Sequence, residues 1–389
     1  MKSTAKDTRS FYYSLQPLFT FTKVFGISPF SMSENSSEIL VSRTWDLLLP
    51  FIAFLVIFTG GCYSLFIFLT TEEDDKILMG VYGAYMFLVH ISALVHIVTT
   101  SVKRKKISII FNYLFLVDQF LGRSTSSAMY KNIKRGLFRF MAWVLLYLLL
   151  LTTCFVYYYI GSFEGIMAAL LEVMSLTINT LTAFQYIIIV RSLNYRYNSL
   201  YDILKGIPDG SKKALTLNWN TGHVYSKTES NDSLRINVLR QQQIHLFDAI
   251  SLMNEVYGFP VLLHILTVLS NCVGSLYDAI HILKKGEDEV KSLSVMIIGI
   301  LPMVPMVSIV MFCHQVGQQS LKYVTEIHNL LAYSSFDPRT QNQLKDFIDQ
   351  IIKLEAKFTA AGFFQLDLPL ICTALSTIFT YIIIMGQMQ

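Results

Sequence analysis

Residues 166–190 read IMAALLEVMSLTINTLTAFQYIIIV, with Glu172 as the one acidic or basic side chain in the run. At about 1.5 Å rise per residue, about 20 apolar residues cross the roughly 30 Å hydrocarbon core of a bilayer. The run is long enough, and it is continuous rather than alternating. It therefore predicts a membrane-spanning helix and not a strand of a barrel. Six further runs share this character: Asp46–Leu69, Ile77–Thr99, Leu137–Ile160, Val256–Ile280, Leu293–Cys313 and Gly362–Gly386. An eighth apolar stretch, Ile107–Val117, is too short to cross. It follows directly on Lys103-Arg104-Lys105-Lys106 and reads as an interfacial or cytoplasmic helix.

Composition points the same way. Of 389 residues, 53% are hydrophobic, 13% aromatic and only 15% charged, and the mean hydropathy is +0.48. A soluble domain carries about 25% charged residues. Two or three soluble domains of this total length would lack the charge to cover their surfaces. With 9 Pro, 19 Gly and no heptad or triplet repeat, collagen, coiled coil and extended disorder are excluded. The expected fold class is all-α: a polytopic membrane protein with seven transmembrane helices.

Orientation follows from Lys and Arg counts in the connecting segments. Alternate segments carry 26 on one side and 4 on the other. With the 26 inside, the N-terminus is expected in the cytoplasm and the C-terminus outside. No secretory signal is expected, because Phe11–Phe30 is interrupted by Pro17, Lys23 and Pro29. The sequons at Asn35 and Asn231 fall on the inner side, where they should stay unmodified. The net charge of +4 reflects the inner surface; no basic soluble module suggests nucleic acid. The five cysteines, Cys62, Cys154, Cys272, Cys313 and Cys372, belong to five different spans, so no disulfide framework is implied.

The organisation divides as follows: 1–45, a cytoplasmic N-terminal segment; 46–190, spans 1–4; 191–255, a cytoplasmic segment with an amphipathic helix; 256–313, spans 5 and 6; 314–361, a second cytoplasmic helical segment; 362–389, span 7 and the C-terminus. Within the inner segments, Ser233–Glu255 and Gln341–Lys357 carry apolar residues at helical spacing. Burying those faces on one another would build a helical cytoplasmic anchor layer beneath the membrane. The stretch Gly206–Ser230, with Pro208, Gly210 and Gly222, has the composition of a loop.

Polar residues recur inside the spans. Span 4 places Glu172, Ser175, Asn179, Thr182 and Tyr186 on one helical face, and span 5 does so with His264, Thr267, Asn271, Ser275 and Asp278. Span 3 offers Trp143, Tyr147, Cys154 and Tyr158; span 2 offers Tyr82, His90 and His96. An ionisable group deep in a bilayer costs at least about 2.5 kcal/mol on insertion scales, so such faces turn inward. Two readings stand side by side: these groups bond across helices, or they line a wet cavity that receives a ligand. The candidate ligand residues are Glu172, Asn179, Trp143, Tyr147, His264, Asn271 and His90. Catalysis is not suggested. No zinc spacing, phosphate loop or nucleophile elbow occurs, and no metal or cofactor is expected.

Span 7 ends Thr380-Tyr381-Ile382-Ile383-Ile384-Met385-Gly386-Gln387-Met388. This closely resembles the ending of insect gustatory receptors: Thr-Tyr, five mostly hydrophobic residues, then Gln-Phe. Met388 stands where that family has Phe, and Gly386 fills a hydrophobic slot. Ala361-Gly362-Phe363-Phe364-Gln365-Leu366-Asp367 resembles the family's approach to its last helix. Pro17-Leu18 and Phe25-Gly26-Ile27-Ser28-Pro29-Phe30 resemble its opening.

The resemblance implies a tastant-gated, non-selective cation channel in the plasma membrane. It implies four subunits, identical or related, around one pore lined by the last helix of each, with the inner layer holding them together. It carries Gln387 to the outer gate, with Thr380 and Tyr381 packing around the last helix. Ile378, Ile382 and Met385 share a face at offsets 0, 4 and 7, suited either to a dewetting constriction or to interhelix packing. The expected ligand is a bitter or other plant compound; a sugar, or an odorant for a related receptor, is the alternative. A G-protein-coupled receptor would need the opposite orientation, and neither Asp-Arg-Tyr after span 3 nor Asn-Pro-x-x-Tyr in span 7 occurs. An inverted-repeat transporter is disfavoured by the odd helix number and the lack of repeats.

Overall fold

The computed structural model describes residues 14–32, 40–41, 44–70, 76–158, 163–207, 225–286, 289–333 and 336–387. Met388, the sequon at Asn35 and most of the loop-like stretch after Gly206 lie outside the described residues.

The described chain is almost entirely helical. A short helix α1 (14–24) is followed by α2 (Leu48–Thr70), α3 (Lys76–Val102), α4 (Arg104–Leu121), α5 (Arg123–Tyr158) and α6 (Phe163–Lys205). Next come α7 (Tyr225–Lys284), α8 (Glu289–Ile300), α9 (Met303–Tyr333), α10 (Pro338–Lys353) and α11 (Leu368–Gln387). Strands occur as two short antiparallel pairs: β1 (Ser31–Met32) with β2 (Leu40–Val41), and β3 (Thr359–Ala360) with β4 (Phe364–Gln365). Seven helical units are long and apolar enough to cross a membrane, and they coincide with the seven runs read from the sequence. The sixth is α8 and α9 together. The seventh starts at Leu368, because residues 359–365 form the β3–β4 hairpin.

Three span helices continue well past their apolar runs. Helix α6 runs on to Lys205, α9 to Tyr333, and α7 begins at Tyr225. Boundaries drawn at 190 and 255 thus fall inside unbroken helices. Their extensions pack with α1, α4 and α10 into a basal layer at one end of the bundle. The short apolar stretch Ile107–Val117 supplies most of the buried face of α4, through Ile107, Ile110, Phe111, Leu114 and Val117, while Ile109 and Leu116 are exposed. The amphipathic stretches pair over most of their apolar residues: Leu239, Leu246, Ile250 and Met253 of α7 are buried, as are Leu344, Phe347, Ile348 and Ile351 of α10, whereas Leu234 and Ile352 are exposed.

The basal layer holds a buried ion pair. Arg196 of α6 is wholly buried, and its Nη2 donates to Asp118 Oδ2 of α4 at 2.5 Å. Its Nε donates to Leu114 O (3.1 Å), and its Nη1 to Ser192 O (2.8 Å) and Oγ (2.6 Å). Tyr130 of α5 donates to the same Asp118 oxygen at 2.8 Å. Three helices therefore share one charged node. Removing one partner leaves an uncompensated buried charge.

Span 6 breaks between α8 and α9 for a legible reason. Pro302 has no N–H to give to Ile298 O, four residues back. Asn271 Nδ2 of α7 donates to that carbonyl instead, at 2.8 Å, and the Cys272 thiol donates to Gly299 O at 2.9 Å. Gly299 meets Ser275 so closely that a Cβ would lie 2.7 Å from the serine Cβ. In hydrocarbon no water takes over such groups, so a neighbouring helix must.

The β3–β4 turn has positive φ at both central residues, Ala361 (52°) and Gly362 (79°), closed by Phe363 N–H donating to Ala360 O at 3.0 Å. The register pairs Ala360 with Phe364, so three residues, 361–363, connect the strands. It docks on α7, where Asn254 Oδ1 accepts from Thr359 N–H (3.0 Å) and Asn254 Nδ2 donates to Lys357 O (2.8 Å). Gly258 makes this approach possible: a Cβ there would lie 2.9 Å from Ala361 N. The hairpin fixes where α11 starts. Helix α11 then packs along one face only, on α7 and α9. Of its most apolar window 17% is buried, against 89% for α6.

Two stability outcomes follow. Arg196→Leu should cost about 3–5 kcal/mol, read as a lower melting midpoint of detergent-purified protein, and adding Asp118→Leu should recover most of the loss. Asn271→Ala should cost about 1–3 kcal/mol for an orphaned carbonyl. In the Pro302→Ala background, where a backbone N–H reaches Ile298 O, the same change should cost markedly less. Equal costs in both backgrounds would refute the compensation.

Candidate functional site

Away from the basal layer, four helices meet in a second apolar cluster. It contains Tyr85 and Val89 of α3, Tyr147, Leu151, Cys154 and Phe155 of α5, Val173 and Leu176 of α6, and Ile298 of α8. Trp143 borders it, its ring 5.4 Å from that of Tyr147. The cluster is aromatic on the α3 and α5 sides and aliphatic on the α6 side.

Polar groups edge this cluster. Glu172 of α6 is 1% exposed, and its carboxyl lies beside the Tyr85 hydroxyl. Its Oε2 has no hydrogen-bond partner among the described residues. Asn179, two turns on, donates from Nδ2 to Val89 O at 3.1 Å, while its Oδ1 is left without a partner among the described residues. Thr180 donates to the Tyr147 hydroxyl at 3.4 Å. A buried carboxyl and a buried amide oxygen with spare accepting capacity, beside stacked aromatic rings, can take hydrogen bonds from a small, partly apolar molecule.

The remaining sequence-derived candidates are distributed. Asn271 is committed to the Ile298 carbonyl and reaches the cluster only through it. His90 donates from Nδ1 to Met86 O (2.8 Å) and lies against α2, where a Cβ on Gly61 would meet its ring at 3.2 Å. His264 is buried on α7 near His96 of α3; the ring nitrogens of both lack hydrogen-bond partners among the described residues. Gln185 of α6 is likewise buried, with neither amide atom partnered among the described residues. Glu172, Asn179, Tyr147 and Trp143 are thus brought to one cluster, and His90 and His264 are not. Tyr85 was not singled out by sequence reasoning. Its one signal is its place one turn after Tyr82 on the same helix. Among the described residues, no three His, Cys, Asp or Glu side chains gather as a metal site, and all five cysteines are free.

On α11, Ala374, Ile378 and Met385 are buried against the rest of the chain and Ile382 is half-buried. The face with offsets 0, 4 and 7 is therefore the packed face, as apolar side chains beside a core require. The opposite stripe, Cys372, Ser376, Thr380, Ile383 and Gln387, is exposed, as is Tyr381.

The 7tm chemosensory receptor family model matches residues 15–389. No curated protein matches the chain in sequence. Among solved structures, it is similar to the insect olfactory receptor OR5 from Machilis hrabei, with TM-score 0.70 and 12% identity over 98% of this chain and 100% of that one. It is also similar to the same receptor in complex with eugenol, with TM-score 0.72 and 12% identity over the same shares. At that identity the likeness speaks for the fold, and the fold is the same seven-helix arrangement. The chain belongs to the 7tm chemosensory receptor family and is a multi-pass membrane receptor, not an enzyme.

Proposed function

We propose that the protein is a gustatory receptor of the plasma membrane: one subunit of a tetrameric, tastant-gated, non-selective cation channel, with its N-terminus and basal layer in the cytoplasm. The observation that carries the channel reading is α11. It lies at the edge of the subunit, covered on one face, with an exposed stripe from Cys372 to Gln387. Four such stripes meeting on an axis would give Ser376, Thr380 and Ile383 a pore wall and place Gln387 at its outer end. Ile378, Ile382 and Met385 then hold the wall to its subunit. The cytoplasmic placement of the basal layer rests on the 26-to-4 distribution of Lys and Arg. The gustatory reading rests on Thr380-Tyr381 and Gln387 at the ending; the olfactory nature of the similar OR5 favours an odorant receptor as the second reading.

The ligand enters the cluster of α3, α5, α6 and α8, where Glu172 and Asn179 accept hydrogen bonds and Tyr85, Tyr147 and Trp143 supply ring faces. A bitter or other plant compound suits that lining. OR5 in complex with eugenol supports a small organic ligand of this kind. Binding shifts the population toward whichever arrangement of the cluster it fits better. Helix α7 packs on α3 and α8 at the cluster and on α11 at the pore, so it carries the shift.

Current recording separates the two parts. Glu172→Gln should move ligand potency by roughly tenfold, the size of one charged hydrogen bond, at unchanged surface expression. Gln387→Ala should alter conductance or rectification and leave the ligand rank order intact. A change of rank order without a change of conductance at Gln387 would remove it from the pore. An epitope appended after Gln389 should stain on intact cells; staining only after permeabilisation would reverse the orientation.

A further inference from the structure

Between α5 and α6, at the basal end of their apolar runs, lies a cavity of about 340 Å³. Arg135 and Arg139, one turn apart on α5, and Arg191 on α6 line it with Trp143 and Tyr195. None of the three guanidinium groups pairs with a carboxylate among the described residues. Arg191 instead donates to the Tyr195 hydroxyl at 3.1 Å and lies 5.7 Å from the centre of that ring and 6.0 Å from that of Phe312. Gly136 leaves the space open: a Cβ there would meet Arg191 Nη1 at 3.1 Å. Three unpaired positive charges around one cavity repel one another, and a bound anion removes that repulsion.

The cavity's height identifies the anion's source. The apolar run of α5 begins at Leu137 and that of α6 ends at Val190, so the arginines sit where both leave the hydrocarbon. From Phe138 onward α5 exposes Phe138, Leu145, Leu146 and Leu149, the stripe that faces lipid. Trp143 and Tyr195 have the amphipathic rings that favour the headgroup level. Next to the cavity, Ile133, Leu137, Ile187 and Ile188 line an apolar crevice that shares Gly136, Phe140 and Arg191 with it. This is a charged socket whose walls close on a narrow apolar crevice.

We propose that this cavity binds the phosphorylated headgroup of an anionic inner-leaflet phospholipid, of the phosphoinositide class. A single phosphodiester carries one negative charge and leaves two guanidiniums unmatched. A phosphomonoester carries about 1.5 to 2 negative charges and accepts bidentate bonds from Arg. The headgroup phosphates bridge α5 and α6, while the acyl chains stay in the bilayer against the exposed leucines of α5. The leaflet rests on the orientation proposed above; headgroup binding in detergent does not, so an orientation error and a site error give different results.

The test is native mass spectrometry of the detergent-purified full chain. It is titrated with a bisphosphorylated phosphatidylinositol, phosphatidylserine or phosphatidylcholine, and separately with the matching soluble inositol phosphate. One phosphoinositide per chain is expected, bound at least about tenfold more tightly than phosphatidylserine, the worth of one further charge-assisted bond. Arg135→Gln with Arg139→Gln should lose that preference. Gly136→Leu, which fills the cavity without removing charge, should also lose it. Lys345→Gln, on the exposed side of α10, should not. Equal binding of all three lipids, or binding unaffected by the first two variants, would overturn the site. Soluble inositol phosphate binding as tightly as the lipid would overturn the lipid as its occupant.

Discussion

The guanidinium of Arg196 lies in a fully buried place and discharges its donors onto three acceptor residues: Asp118, Leu114 and Ser192. Helix α6 is the axis about which the other spans are arranged, and this node fixes its lower half against α4 and, through Tyr130, against α5. A buried ion pair is weak evidence for net stability, since matched apolar residues can do as well. What it does supply is register. An arginine with this many directed bonds has one satisfactory position, and a slip of α6 by one residue would strand a charge. The basal layer inherits that register, since α7 packs on α4 and α6, α9 packs on α6, and α10 packs on α7 and α9.

Within the spans, the governing constraint is that backbone groups find partners without water. Pro302 breaks it and Asn271 repairs it. The polar stripe of α7 is therefore largely a seam: Asn271 serves α8, Thr267 reaches toward Leu88 O, and Asp278 accepts from Tyr82 of α3. Glu172 differs in kind. No carbonyl or helix end needs it, and one of its oxygens has no partner among the described residues. That contrast separates structural polar groups from candidate ligand-binding ones, and helical spacing alone does not provide it.

The seven spans, the short helix α4 and the amphipathic faces of α7 and α10 were legible because apolar length and period report directly on environment. The candidate site was legible only in part. On α6 the stripe from Glu172 to Tyr186 carried little information about direction, because nearly every face of that helix is buried. His90 lies on the helix that supplies Tyr85 and Val89 to the cluster, yet it packs against α2; periodicity says which residues share a face but not which neighbour the face meets. On α11 the apolar trio Ile378, Ile382 and Met385 marked a face correctly, but as the packed one. The free stripe is the more polar one. The basic cavity was not visible as a site, because Arg135, Arg139 and Arg191 come from segments about fifty residues apart.

The β3–β4 hairpin has a mechanical consequence. It is the only non-helical connection between α10 and α11 with defined pairing, and its turn contains two residues in the left-handed region, one of them alanine. A three-residue connection closed by the Phe363-to-Ala360 and Leu366-to-Phe358 hydrogen bonds has little slack. It does not absorb a displacement of α7, on which it is clamped through Asn254 and Gly258, but hands it on to the first turn of α11. The junction therefore acts as a stiff crank: a small rotation at the base of the last helix becomes a larger lateral sweep at its far end, some twenty residues away, where Gln387 sits.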